Sequence, residues 1–268
     1  MKKGLIIITV FMVAFFCTEL SYCLTMGPAR LEVSLPAGEL AEGDYYVQND
    51  TDQDAHILVE PENWFEDVYN YKNINIKDWV EFDTYEFDLK PKEIKKLKLR
   101  IKVPKDVKGE LVAQIFFTST ALGEDGKPVE GIKARVGSVL YLSIKGTEVV
   151  DAEIKNISIS KVAEEGKQFI KVSANVKNKG NIHIRPSGKV AIYNEAGEKV
   201  TELDLNYGAP TLPGEEKEYD ALWEESKTKK GLYKVSVTIN YGKELNMDKT
   251  LILDNTFEIG VDGKVMVK

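Results

Sequence analysis

From Lys96 to Val103 the chain alternates without a fault. Lys96, Lys98, Arg100 and Lys102 fall on one side, Leu97, Leu99, Ile101 and Val103 on the other, and Pro104 closes the run. A period of two is the pattern of a strand with one face on a core and the other in water. Shorter segments with the same rhythm, separated by turn clusters, fill most of the chain. The first series covers residues 31–35, 45–48, 55–59 (ended by Pro61), 79–82, 85–89, 95–103, 112–119 and 135–144. Such spacing belongs to β-sandwiches, and no segment longer than about ten residues shows a helical period.

The tetrapeptide Lys145-Gly146-Thr147-Glu148 interrupts the rhythm, which restarts at Ile154. A second series follows at 154–159, 169–176, 190–193, 200–205, 219–223, 233–241 and 249–259. Turns are marked by Asn194-Glu195-Ala196-Gly197 and Leu212-Pro213-Gly214, where glycine supplies the positive φ. The 268 residues therefore predict an all-β protein: two tandem Ig-like β-sandwich domains, 24–147 and 148–268, after a leader at 1–23. Neither domain has the Cys-Trp-Cys core of antibody domains. Residues 64–78 break the pattern. They are rich in aromatics and amides and read as a long loop with a helical turn, a place where sandwiches often carry function.

The leader has the parts of a signal peptide. Lys2 and Lys3 form a positive start, residues 5–16 a short apolar run, and Ser21 and Cys23 the small residues before a cleavage site. Cleavage is expected after Cys23, with export to the periplasm or cell surface. A lipidated cysteine would want Gly or Ala before it, whereas Phe16 and Tyr22 precede Cys17 and Cys23. Beyond residue 23 the sequence holds no cysteine, so its domains must rely on apolar cores. No later apolar run reaches 18 residues, and no integral membrane segment is expected after the leader.

The net charge of −7 argues against nucleic acid as a partner, because phosphate binding needs a basic surface. His56 and His183 fall in different domains and read as structural residues; with no cysteine nearby, a zinc site is not expected. The nucleophile elbow, phosphate loop and dinucleotide-binding motifs are all missing. Asp50, Asp52 and Asp54 alternate, but without the Gly and terminal Glu of a calcium loop. No cofactor, metal or catalytic residue is expected, and the chain does not read as an enzyme.

The second domain carries Val176-Lys177-Asn178-Lys179-Gly180-Asn181-Ile182-His183, Pro186, Gly188, Trp223, Gly231, Tyr233 and Tyr241-Gly242. The first carries Pro28-Ala29-Arg30-Leu31-Glu32-Val33, Leu89, Pro91, Gly109, the run 111–116, and Arg135-Val136-Gly137-Ser138-Val139-Leu140-Tyr141. Together these resemble bacterial WxL-interacting proteins and, more widely, the PapD-like pilus chaperones. WxL-interacting proteins usually end in a membrane segment and basic tail; this chain ends on Gly263-Lys264-Val265-Met266-Val267-Lys268. Pilus chaperones hold a subunit's terminal carboxylate with an Arg and a Lys. The resemblance puts Arg30 at the Arg position and Gly137 at the Lys position, with Arg135 the nearest cation.

The first functional expectation is a non-catalytic envelope scaffold that contacts a surface protein or an envelope polymer. The second is a PapD-like periplasmic chaperone for fimbrial or surface subunits, acting by strand addition. Partner contact is expected from the first domain, through Arg30, Trp64, Tyr71 and Arg135. Arginine forks suit carboxylates, and aromatics dominate interface hot spots.

Overall fold

The computed structural model describes residues 24–64, 74–206, 209–243 and 246–268, with the backbone alone at 130–132, 243 and 246–247. The first sandwich is built from nine strands: β1 (Leu24–Gly27), β2 (Arg30–Leu35), β3 (Leu40–Asn49), β4 (Ala55–Asn63), β5 (Val80–Phe82), β6 (Glu86–Leu89), β7 (Ile94–Lys102), β8 (Glu110–Leu122) and β9 (Pro128–Ile144). One sheet has the order β1-β3-β7-β5, the other β2-β9-β8-β4-β6. The second sandwich uses β10 (Ala152–Glu164), β11 (Lys167–Asn178), β12 (Ser187–Asn194), β13 (Lys199–Asp204), β14 (Glu216–Glu224), β15 (Gly231–Lys243), β16 (Asn246–Ile259) and β17 (Val265–Val267). Its sheets run β10-β11-β14 and β13-β12-β15-β16-β17. The fold is two tandem β-sandwiches, as the alternation implies.

Each sandwich has its own core. In the first, Tyr45, Leu97, Leu99, Ile115, Phe117, Leu140 and Leu142 are fully buried between the sheets. The charged side of β7 faces water, where Lys96 pairs with Asp44 and Arg100 with Glu42 and Glu81 on neighbouring strands. The basic run is thus one side of a cross-strand charge ladder. In the second core, Trp223 meets Tyr233 edge to face at 5.4 Å, and Tyr233 stacks on Phe257 at 5.3 Å. Buried Asn178 closes the turn after β11: its amide donates to the carbonyls of Ile182 and Thr211, and its oxygen accepts from Gly180 N–H.

Pro61 does not end its strand. β4 continues to Asn63, paired with β8 throughout, whereas β6 faces only residues 55–58 on the other side. Pro61 lies beyond the reach of β6, on a stretch of edge where its missing N–H breaks no ladder bond. Within the long loop, residues 76–78 form a single 3₁₀ turn. Asn75 caps it through a reciprocal bond with Asp78, and Asn63 binds the Ile76 amide at 2.6 Å.

The first twelve described residues stitch the two sheets of the first sandwich. β1 pairs antiparallel with β3, then the chain crosses and β2 pairs parallel with β9. Ser138 anchors the crossing: its hydroxyl donates to the Pro28 carbonyl at 2.7 Å and lies 2.9 Å from the Tyr45 hydroxyl. Burial pushes the Tyr45 phenol above its ordinary range, partly offset by the Ser138 bond.

Candidate functional site

Alternation along β9 sends residues 135, 137, 139, 141 and 143 to the side away from the core. Their β8 partners are 118, 116, 114, 112 and 110. Opposed residues share a face, so β2 adds Arg30, Glu32 and Ser34 beside Val139, Tyr141 and Ser143, and β4 adds Glu60 and Glu62. This outer face collects Arg30, Arg135 and, just past β4, Trp64. Trp64 packs with Val139 on Val112 and Tyr141. Tyr71 lies outside the described residues.

Arg135 sits in a built setting. Its guanidinium stands 3.5 Å over the Phe116 ring, with Nη2 2.5 Å from Glu62 and Nε 3.7 Å from Glu60. The ring in turn lies on Gly137, where a β-carbon would come within 3.0 Å of Phe116 and 2.9 Å of the Gln114 amide. A side chain there would have to displace the Gln114 amide and press on the Phe116 ring. Arg30 is held by Glu32 at 2.8 Å. It pairs with Val139, four residues along β9 from Arg135, or about 13 Å at strand rise. The two arginines share a face without forming one clamp.

The second sandwich meets this face at the β2–β9–β8 end. Glu110 is 1% exposed and accepts from His183 twice, from the backbone N–H at 3.0 Å and from Nδ1 at 2.8 Å. The Ser143 hydroxyl donates to the same carboxylate at 3.5 Å. His183 packs on Tyr141 with ring centroids 4.1 Å apart. Arg185 donates to Glu32 at 3.0 Å, on the oxygen that Arg30 also contacts. Burial raises the Tyr141 phenol above its ordinary range, and the nearby Arg185 charge works against that. Below this cluster, Gly109 at φ +80° approaches Asn181, whose amide donates to the Thr147 carbonyl.

Sequence reasoning missed Glu32, Glu110, His183 and Arg185 as a group. Glu110 and His183 are 73 positions apart, Glu32 and Arg185 153. The only local signal was an acid opening the apolar run at Leu111.

The remaining feature is an edge. β2 covers β9 only from Val139 to Ile144. At Pro128 and from Lys133 to Ser138, β9 pairs with β8 alone, and among the described residues nothing pairs with its other side. Val139 N–H bonds Ala29 across the β2 side, while Ile144 N–H bonds Gly109 across the β8 side. Odd positions therefore turn their amides toward β2, which leaves those of Lys133, Arg135 and Gly137 on the open edge.

No protein-family model matches the chain, and no curated protein matches it in sequence. Solved structures do. The class 5 fimbriae chaperone CfaA is 14% identical, with a TM-score of 0.46 over 86% of this chain and 98% of its own. The E. coli chaperone DraB is 12% identical, TM-score 0.43, over 90% and 98%. The Pseudomonas aeruginosa CupB2 chaperone is 10% identical, TM-score 0.41, over 86% and 98%. These fall on the PapD-like side of the resemblance, and the WxL-interacting label finds no support. Against the first functional expectation, of an envelope scaffold, the matched structures are chaperones.

Proposed function

We propose that this chain is a non-catalytic, exported chaperone of the PapD-like kind, working in the periplasm on fimbrial or surface subunits. It acts by lending β9 as a strand to a subunit whose own sheet is unfinished. The observation that carries this reading is the open edge at residues 133–138. Natural sheets shorten, charge or cover such edges, because bare amides and carbonyls recruit other strands. Here the edge belongs to the longest of the described strands, braced by β8 from Lys133 to Ser138. That is the arrangement β-augmentation requires: backbone bonds supply affinity and alternate side chains supply selectivity. The Arg135–Phe116 stack lies beside the edge, where an incoming strand would pack against it.

The test is a photo-crosslinking amino acid at Lys133 in the full-length chain, expressed in its own host. The expected product is an adduct with a surface subunit whose sandwich lacks a strand. Adducts with envelope polymer alone, or none at 133 when a control at Lys234 behaves identically, would overturn the reading.

A further inference from the structure

We infer that β2 is a replaceable strand. Its seat along β9, from Val139 to Ile144, takes an extended partner segment with three alternating apolar residues and a carboxylate between them. The inference rests on the proposed strand lending and carries it past Ser138. β2 is the one strand of the first sandwich with no buried residue: Arg30 and Ser34 are exposed, and the other four are half-buried. Its pairing with β9 is parallel, slightly less stable per residue than the antiparallel ladder that β8 makes on the other side.

β2 can leave without unravelling its neighbours. Before it, β1 is paired with β3, and the Pro28 carbonyl is held by Ser138. After it, Gly38 N–H bonds the Val103 carbonyl, and β3 pairs with β7 from Leu40. Residues 29–37 are thus a flap with both ends fixed. The flap covers the part of the β9 edge that continues directly from the open stretch 133–138. An added strand that grows past Ser138 meets it end on and takes its place.

The seat specifies what can replace β2. Leu31, Val33 and Leu35 turn inward and pack on the first core. Between them Glu32 turns to the second sandwich. Its Oε1 lies 2.8 Å from Arg30 Nε, 3.0 Å from Arg185 Nη2 and 4.0 Å from His183 Nε2. Arg30 belongs to the flap and departs with it, whereas Arg185 and His183 stay. Arg185 is half-buried, and a guanidinium left there without its counter-charge is costly. A strand with an acid at the Glu32 position restores that pair, and one with a neutral residue does not.

The test is disulfide trapping. Residues 24–268 hold no cysteine, so Ser143→Cys supplies the only thiol of that stretch. The probe is a synthetic peptide copying residues 28–37 with Ser34→Cys, the register partner of 143. The peptide is supplied at about 1 mM, to match the effective concentration of a tethered strand, and the adduct is followed by intact mass. It should form at least about tenfold faster than with a Val33→Cys copy, whose thiol faces the other way. Val33→Ser in the chain weakens the flap and leaves the seat untouched, so trapping should quicken about fivefold. If that variant fails to fold, Leu31→Ala is read instead. A peptide that also carries Glu32→Gln should be trapped about fivefold more slowly or worse. Trapping without register preference, or at a rate that the weakened flap does not change, overturns the replacement. Equal trapping of the Glu and Gln peptides overturns the need for an acid. Trapping at Lys133→Cys but not at Ser143→Cys keeps strand lending and sinks the replaceable strand. The reverse keeps the seat and tells against lending at the open stretch.

Discussion

Several single residues are fixed by what lies against them. Gly109 has φ +80°, and a β-carbon there would fall 2.6 Å from the Asn181 carbonyl. Gly109→Ala should cost at least about 1–2 kcal/mol for the left-handed backbone alone, with a further loss from displacing Asn181. Urea denaturation followed at the junction checks this, and an unchanged midpoint would mean the contact is not seated as described. Trp223 is buried against Tyr233, so Trp223→Ala should remove about 3–5 kcal/mol from the second sandwich. Calorimetry should show that sandwich melting earlier while the first holds its temperature. The aromatic role was legible in the sequence, because Trp223 falls on the apolar side of an alternating segment. The burial of His183 was not. Nothing near it in sequence names an acid, since Glu110 reaches it only once two separate sandwiches have docked.

At the level of elements, β9 makes two promises that a proline pair can separate. Ala134 turns its N–H to β8, opposite Ser119, whereas Lys133 turns its own to the open edge. Ala134→Pro should cost about 1–3 kcal/mol for an unmade buried ladder bond. Lys133→Pro should leave the melting temperature nearly unchanged and abolish strand addition. If both destabilise alike, the edge is not open. Most strands were legible because their alternation is local: the solvent and core sides of β7 separate as written in the sequence. The continuation of β4 through Pro61 was not, since it depends on where β6 stops. The pairing of β2 with β9 was equally hidden, because a parallel partner leaves no hairpin turn in the sequence. The candidate residues divide in the same way. Arg30 and Arg135 were recognisable as the rare arginines of the first sandwich, but their separation and the Phe116–Gly137 layer depend on register.

For the molecule as a whole, the leader reading has a direct check. Intact mass of protein recovered from the envelope should correspond to a chain starting at Leu24, without lipid; a mass carrying residues 1–23 or an acyl adduct would refute it. The stitching of the first sandwich also bears on how the chain comes to be folded. Partners in β3 and β7 lie 46–62 positions apart, whereas β2 has its sheet partner 109 positions on, in β9, the last strand of the same sandwich. Contacts so distant along the chain form late, since loop closure must precede them. In pulsed hydrogen exchange, amides of residues 31–35 should gain protection together with those of 139–144, after β3 and β7; protection of β2 ahead of β9 would contradict this order. A chain emerging N-terminus first cannot close its first sandwich until Ile144 is out. Its opening residues stay unpaired along one side through most of that passage, so this protein spends its own infancy as an incomplete sheet.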